Sequence, residues 1–79
     1  MTEKEFYELY KSVYRAREAT LRATIKEAEV ECAYLEELAR REEKAGNLPA
    51  AISARSQLKA NRDRLEDAEM SLTLYERSN

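Results

Sequence analysis

Ala45-Gly46-Asn47-Leu48-Pro49-Ala50 holds the one glycine and the one proline of a 79-residue chain. Glycine reaches the left-handed backbone that closes a helix, and proline is tolerated in the first turn of the next one. A Gly followed closely by a Pro is therefore a stop-and-restart signal. On either side of it, residues 3–45 and 49–77 are rich in Glu, Lys, Arg, Ala and Leu, all good helix formers. The composition predicts an all-α chain: a long helix over about 3–45, a tight turn at 46–48 and a shorter helix over about 49–77. Ser78 and Asn79 are expected to fray. With so few turn residues, a many-stranded β fold is excluded.

Heptad spacing gives each helix a seam. In the first helix it runs Leu21, Ile25, Ala28, Cys32, Leu35, Ala39, and in the second Ala51, Ala54, Leu58, Asn61, Leu65, Ala68, Leu72, Tyr75. Facing residues of an antiparallel pair have numbers of constant sum. A sum of 93 sets Ala39 on Ala54, Leu35 on Leu58, Cys32 on Asn61, Ala28 on Leu65, Ile25 on Ala68 and Leu21 on Leu72. Half of that sum falls on the Gly46-Asn47 break, although the seams were read without it. The expected architecture is one domain over 1–79, an antiparallel two-helix hairpin with coiled-coil-like packing. Asn61, polar on an apolar seam, is the candidate for fixing register.

The chain start is equally specified. Thr2 and Glu5 have capping-box spacing, and Met1 and Phe6 that of a hydrophobic staple. A cap that uses Met1 is expected at a natural start. Arg40, Arg41 and Lys44 crowd the end of the first helix, where cations favour the dipole.

Several function classes are excluded or disfavoured. Without His, the commonest acid–base group and metal ligand is missing, and the di-iron helix pairs that Glu27/Glu31 or Glu29/Glu36/Glu43 suggest need one. Ser53, Ser56 and Ser71 have no His base, and Cys32 lies on the seam as a small hydrophobe. No catalytic residue, cofactor or metal site and no small-molecule substrate is expected. One cysteine makes no internal disulfide, no apolar run reaches about 18 residues, and no signal peptide is expected from the acidic opening residues. The expectation is a cytoplasmic protein away from membranes. A formal charge of −2 fits neither a DNA mimic nor a phosphate-backbone binder.

In the same register Arg77 lies opposite Ala16, so residues 1–15 form an overhang about 20 Å long at 1.5 Å per residue. Phe6, Tyr7, Leu9, Tyr10, Val13 and Tyr14 lie in it, including four of the six aromatic residues. An aromatic, apolar patch of this kind marks a protein interface. Three fates are open to it: packing on its own copy to complete a four-helix bundle or larger assembly, docking another protein with Phe6, Tyr10 and Tyr14 as anchors, or folding back after a kink. The seam is poor in bulk and a lone hairpin of this size is marginal, so a second chain is expected.

Basic residues also recur on one face, with Arg55, Lys59 and Arg62 on the second helix and Lys11, Arg15, Arg22 and Lys26 on the first. In architecture the chain resembles the plasmid copy-number regulators that dimerise as helical hairpins and bind nucleic acid along such faces. Glu18, Asp63, Glu66 and Asp67 interrupt the stripes, and a solvated face carrying salt bridges from Arg22, Lys26, Arg40 and Lys44 to the glutamates is the simpler expectation. The turn, Ala45 to Ile52, looks like the turn between the helices of a tetratricopeptide repeat. Continued by Ala54-Arg55-x-Gln57-Leu58, it is similar to a segment of some phage small terminase subunits. The first helix is too long for that repeat, no second repeat follows, and no helix-turn-helix accompanies the terminase-like stretch.

The expected function is that of a non-enzymatic interaction module: a small regulator, adaptor or inhibitor, of a form that suits a phage or mobile element. It oligomerises and binds a partner protein through the N-terminal aromatic stripe. The alternative is a structural assembly component, such as a phage packaging or virion accessory, and the third reading is a nucleic-acid-binding hairpin dimer.

Overall fold

A computed structural model describes residues 1–78. Its two helices, α1 (Glu3–Lys44) and α2 (Leu48–Ser78), pack side by side as an antiparallel hairpin. The rod measures 65 × 17 × 14 Å. Since 42 helical residues span about 63 Å at 1.5 Å each, its length is that of α1. Ser78, expected to fray, still belongs to α2, and Asn79 lies outside the described residues.

The turn is as short as two helix ends allow. Gly46 has φ +77°, and its N–H donates to the Glu43 carbonyl at 3.0 Å while that of Asn47 reaches Glu42 at 2.9 Å. That pair of bonds is a Schellman closure, which satisfies carbonyls orphaned at the end of α1. Asn47 then opens α2: its Oδ1 accepts from the Ala50 N–H at 3.4 Å and its carbonyl from the Ala51 N–H at 3.1 Å. Pro49 falls in the first turn, where its missing N–H costs nothing. One residue thus closes one helix and caps the next.

At the other end Thr2 accepts the Glu5 N–H at 3.2 Å. Its hydroxyl donates to the Glu5 carboxylate at 3.1 Å, where a full capping box has that carboxylate reach a backbone N–H. The expected staple does not close, as Met1 and Phe6 are both largely exposed. Neither has a third element to pack under.

Ala28, Cys32, Leu35 and Ala39 of α1 are buried against Ala51, Ala54, Leu58 and Ala68 of α2. Five of these eight are alanines, which bring the helices close. Leu21, Ile25, Leu65 and Leu72, expected in the core, are only half-buried. The reason is geometric. Two helices cover a methyl group completely, but a leucine outreaches their groove unless neighbours close over it, as Cys32, Leu38 and one another do for Leu35 and Leu58.

Ion pairs flank the seam along its length. Arg22 bridges Glu18 at 2.9 Å and Glu76 at 3.0 Å, Arg64 approaches Glu27 at 3.6 Å and Glu31 at 4.0 Å, and Arg62 pairs with Glu36 and Arg55 with Glu43. The hydrogen bond to Glu18 holds the Arg22 guanidinium above its ordinary pKa. These pairs are exposed, so each contributes at most about 1 kcal/mol. The numbers of the paired residues sum to 91, 95 and three times 98, so long side chains reach up to about a turn away from the residue that the 93 alignment sets opposite. Arg40 and Arg41 both turn to Glu37 within α1.

The side chain of Asn61, the expected register residue, turns to its own helix. Half-buried, its side-chain amide donates back to the Gln57 carbonyl of its own helix at 3.0 Å. Four residues is about one turn, so that carbonyl lies within local reach, whereas the expected register sets only Cys32 opposite. Asn61→Leu is therefore expected to stabilise the hairpin, by about 1 kcal/mol from added apolar burial and better helix propensity. A thermal melt should rise by about 4–8 °C; an unchanged midpoint would mean the site is fully wet.

Candidate protein interface

Beyond the last turn of α2, α1 continues alone as a helix held by its own cap and local pairs. Glu3 and Glu5 occupy its first turn, where carboxylates favour the dipole, and Lys11 lies 3.9 Å from Glu8. Every one of residues 1–10 is exposed. Among them are Phe6 at 66%, Tyr7 at 55%, Leu9 at 52% and Tyr10 at 49%, with Val13 following at 46%.

The tyrosines form a ladder. Tyr7 and Tyr10 are stacked with centroids 6.4 Å apart, Tyr10 and Tyr14 stand at 4.7 Å, and Tyr14 meets Tyr75 of α2 edge-on at 5.4 Å. Spacings of three and four residues put successive rings within reach on one side of a helix. Lys11 Nζ sits 4.6 Å over the Tyr7 ring, a cation–π contact that caps the ladder's open end. Phe6, Leu9 and Val13 lie on the adjoining side, where they share a shallow depression with Tyr10, Tyr14 and Arg17.

The structure shortens the expected 1–15 overhang. Tyr14 is half-buried against Tyr75, so the unaccompanied part ends before it. A tyrosine is long enough to bridge from one helical turn to the next across the groove, which residue numbers alone do not convey. Tyr75 is the member that the stripe reading missed. Its place on the second seam, one turn from Tyr14 in the 93 alignment, was the available signal. Leu38, packed on the Cys32–Leu35–Leu58 cluster, and the exposed Val30 and Tyr34 were also missed.

The hydrogen bond that the Tyr10 hydroxyl donates to Tyr14, aided by desolvation and the neighbouring phenols, raises the pKa of Tyr10 above its ordinary value. A raised phenol pKa means that the contact is intact at neutral pH and is lost as pH climbs through the folded-state value. In an absorbance titration Tyr10 should ionise late for a phenol. Tyr14→Phe should abolish that lag, and a lag that persists would rule out Tyr14 as its cause.

The remaining chemistry is sparse. Cys32 is a free, buried thiol. Among the described residues no group of three or more His, Cys, Asp or Glu side chains could hold a metal, and no helix is long and apolar enough to cross a membrane. On the basic stripe of α2, Arg55 and Arg62 are engaged by Glu43 and Glu36, which lowers the positive potential a phosphate backbone needs. No family model, characterised protein or solved structure matches the chain.

Proposed function

We propose that this chain is a non-enzymatic protein-interaction module, a small helical hairpin of the regulator, adaptor or inhibitor kind. It self-associates, and it holds a partner protein on the aromatic overhang of α1. The observation that carries this reading is the tyrosine ladder at the point where α2 stops. There α1 runs on with Phe6, Tyr7 and Tyr10 exposed, and Tyr75 in the last turn of α2 meets Tyr14 at the base of the ladder. An amphipathic helix laid there would continue the line of α2 and cover Tyr7 and Tyr10, as helix-in-groove recognition does. Tyrosine suits the task, since it offers a large contact area with few rotatable bonds and a polar tip.

The test is retention of a cellular protein by the immobilised wild-type chain, compared with the Tyr7→Asp/Tyr10→Asp variant. Both positions are exposed, so circular dichroism should show the variant folded. A protein held by the wild type and released by the variant supports the reading. Capture that is indifferent to the two substitutions, or no capture at all, overturns it.

A further inference from the structure

The seam of the hairpin runs on past the end of α2. Tyr7 and Tyr14 stand at seven-residue steps from Leu21, Ala28 and Leu35, so the tyrosine face is the same side of α1 that α2 covers nearer the turn. Beside that seam runs a flanking row at the same spacing: Glu8, Arg15, Arg22, Glu29, Glu36 and Glu43. Its counterpart on α2 is Arg55, Arg62, Glu69 and Glu76. Three rungs between the rows are ion pairs, Glu43 with Arg55, Glu36 with Arg62 and Arg22 with Glu76, and each has numbers that sum to 98. The same count sets Glu29 beside Glu69, the one like-charged rung. Arg15 and Glu8 continue the α1 row, both exposed, where α2 (Leu48–Ser78) supplies no rung. Glu8 has only Lys11 of its own helix, 3.9 Å away.

We propose that these two rungs specify the partner on the tyrosine face: an amphipathic helix of another protein, antiparallel to α1, with an acidic residue level with Arg15 and a basic residue seven positions later, level with Glu8. The inference rests on the reading above, that this face holds a partner helix, and adds the charges by which that helix is chosen and oriented. A helix that continues the line of α2 keeps its direction, so the acid comes first. With the two charges exchanged, the helix would set acid on Glu8 and base on Arg15. Exposed pairs contribute little affinity, but like charges in their place are penalised, so they select among helices with similar apolar faces. A second copy of this chain also reads Glu8 and then Arg15, yet it does not fit. The row runs five ahead of the seam, 98 against 93, so pairing Glu8 with the Arg15 of a copy would set Thr2 opposite Ala16. Arg77 already has that place in the alignment.

Two synthetic 15-residue peptides test the proposal by fluorescence anisotropy. Both carry leucine along a heptad seam; one has Glu and, seven residues later, Lys on the flanking row, and the other has the two exchanged. The wild type should bind the Glu-first peptide about tenfold more tightly. Glu8→Arg/Arg15→Glu, altered only at exposed positions, should prefer the exchanged peptide by as much. Tyr7→Asp/Tyr10→Asp should bind neither. A wild type without the preference, a preference that does not reverse in the swapped variant, or binding of neither peptide overturns the proposal. So does a wild-type dimer that Arg15→Glu dissociates, since the occupant would then be a second copy. A cellular protein held equally by the wild type and by Glu8→Arg/Arg15→Glu, but released by Tyr7→Asp/Tyr10→Asp, would overturn the charge rule and leave the reading above standing.

Discussion

Leu35→Ala is expected to abolish most of the helical circular-dichroism signal at room temperature. Among the described residues, Leu35, 5% exposed, and Leu58, 7% exposed, are the only large side chains buried in the seam, joined by Cys32. Removing a buried leucine down to Cβ costs about 2–5 kcal/mol, the transfer loss plus the cavity left behind. A core in a chain this size rarely supplies more than about 3–5 kcal/mol, so the loss is comparable with the whole. The alanines around the site hold the helices at a fixed close spacing and cannot collapse inward to fill the gap. Leu35→Met conserves volume and should keep the signal, at a cost below about 1.5 kcal/mol. If association holds the hairpin together, helicity of the alanine variant should return as protein concentration rises. A melt that does not move would show that the cluster is not what holds the helices.

Gly46→Ala is the second large effect, and its cause lies in the backbone alone. A Cβ built at Gly46 meets nothing within 4 Å, so there is space for the methyl group. Yet φ is +77°, and an L-residue loses about 1–2 kcal/mol there, partly offset by about 0.4–1 kcal/mol from a stiffer unfolded chain. The net change should lower the melting midpoint by about 4–8 °C. Gly46→Asn, which tolerates that conformation better, should fall between alanine and wild type. Equal melts for all three would mean that the Schellman closure does not govern the turn.

The hairpin was legible because three independent signals agree: the breaker pair, the two seams, and the alignment that places the break at their midpoint. Periodicity reports direction along and around a helix, and direction is enough to place Ala28, Leu35, Ala54 and Leu58 inside. It does not report how far a side chain extends. Nor does it report which leucines have neighbours to close over them, so Leu21, Ile25, Leu65 and Leu72, correctly directed, emerge half-buried while Leu35 and Leu58 cover one another. Reach also explains the contact of Tyr14 with Tyr75 and the bridges from Arg55, Arg62 and Arg64 to α1 glutamates. A long side chain has partners along its own helix and across the groove, and spacing in the sequence ranks only the former. Asn61 shows the converse, a polar residue whose nearest satisfaction was its own backbone. The aromatic patch stood out by composition, but its division into a tyrosine ladder and a Phe6–Leu9–Val13 side needed the geometry.

Because Asn47 ends one helix and begins the other, it is the zero mark of a ruler. Every position along the rod is counted outward from it in both directions, with no slack to absorb a miscount. The bare length of α1 is then a difference between two counts, and it can be reset without touching the residues it displays. Taking seven residues out of α2 would bare two more turns of α1 with the alignment near the turn unchanged. Taking seven from the middle of α1 would retract it by as much. Insertions or deletions of other lengths would turn the free end about its axis and point the same rings elsewhere. What the chain presents at its tip, and in which direction, is therefore written in integers.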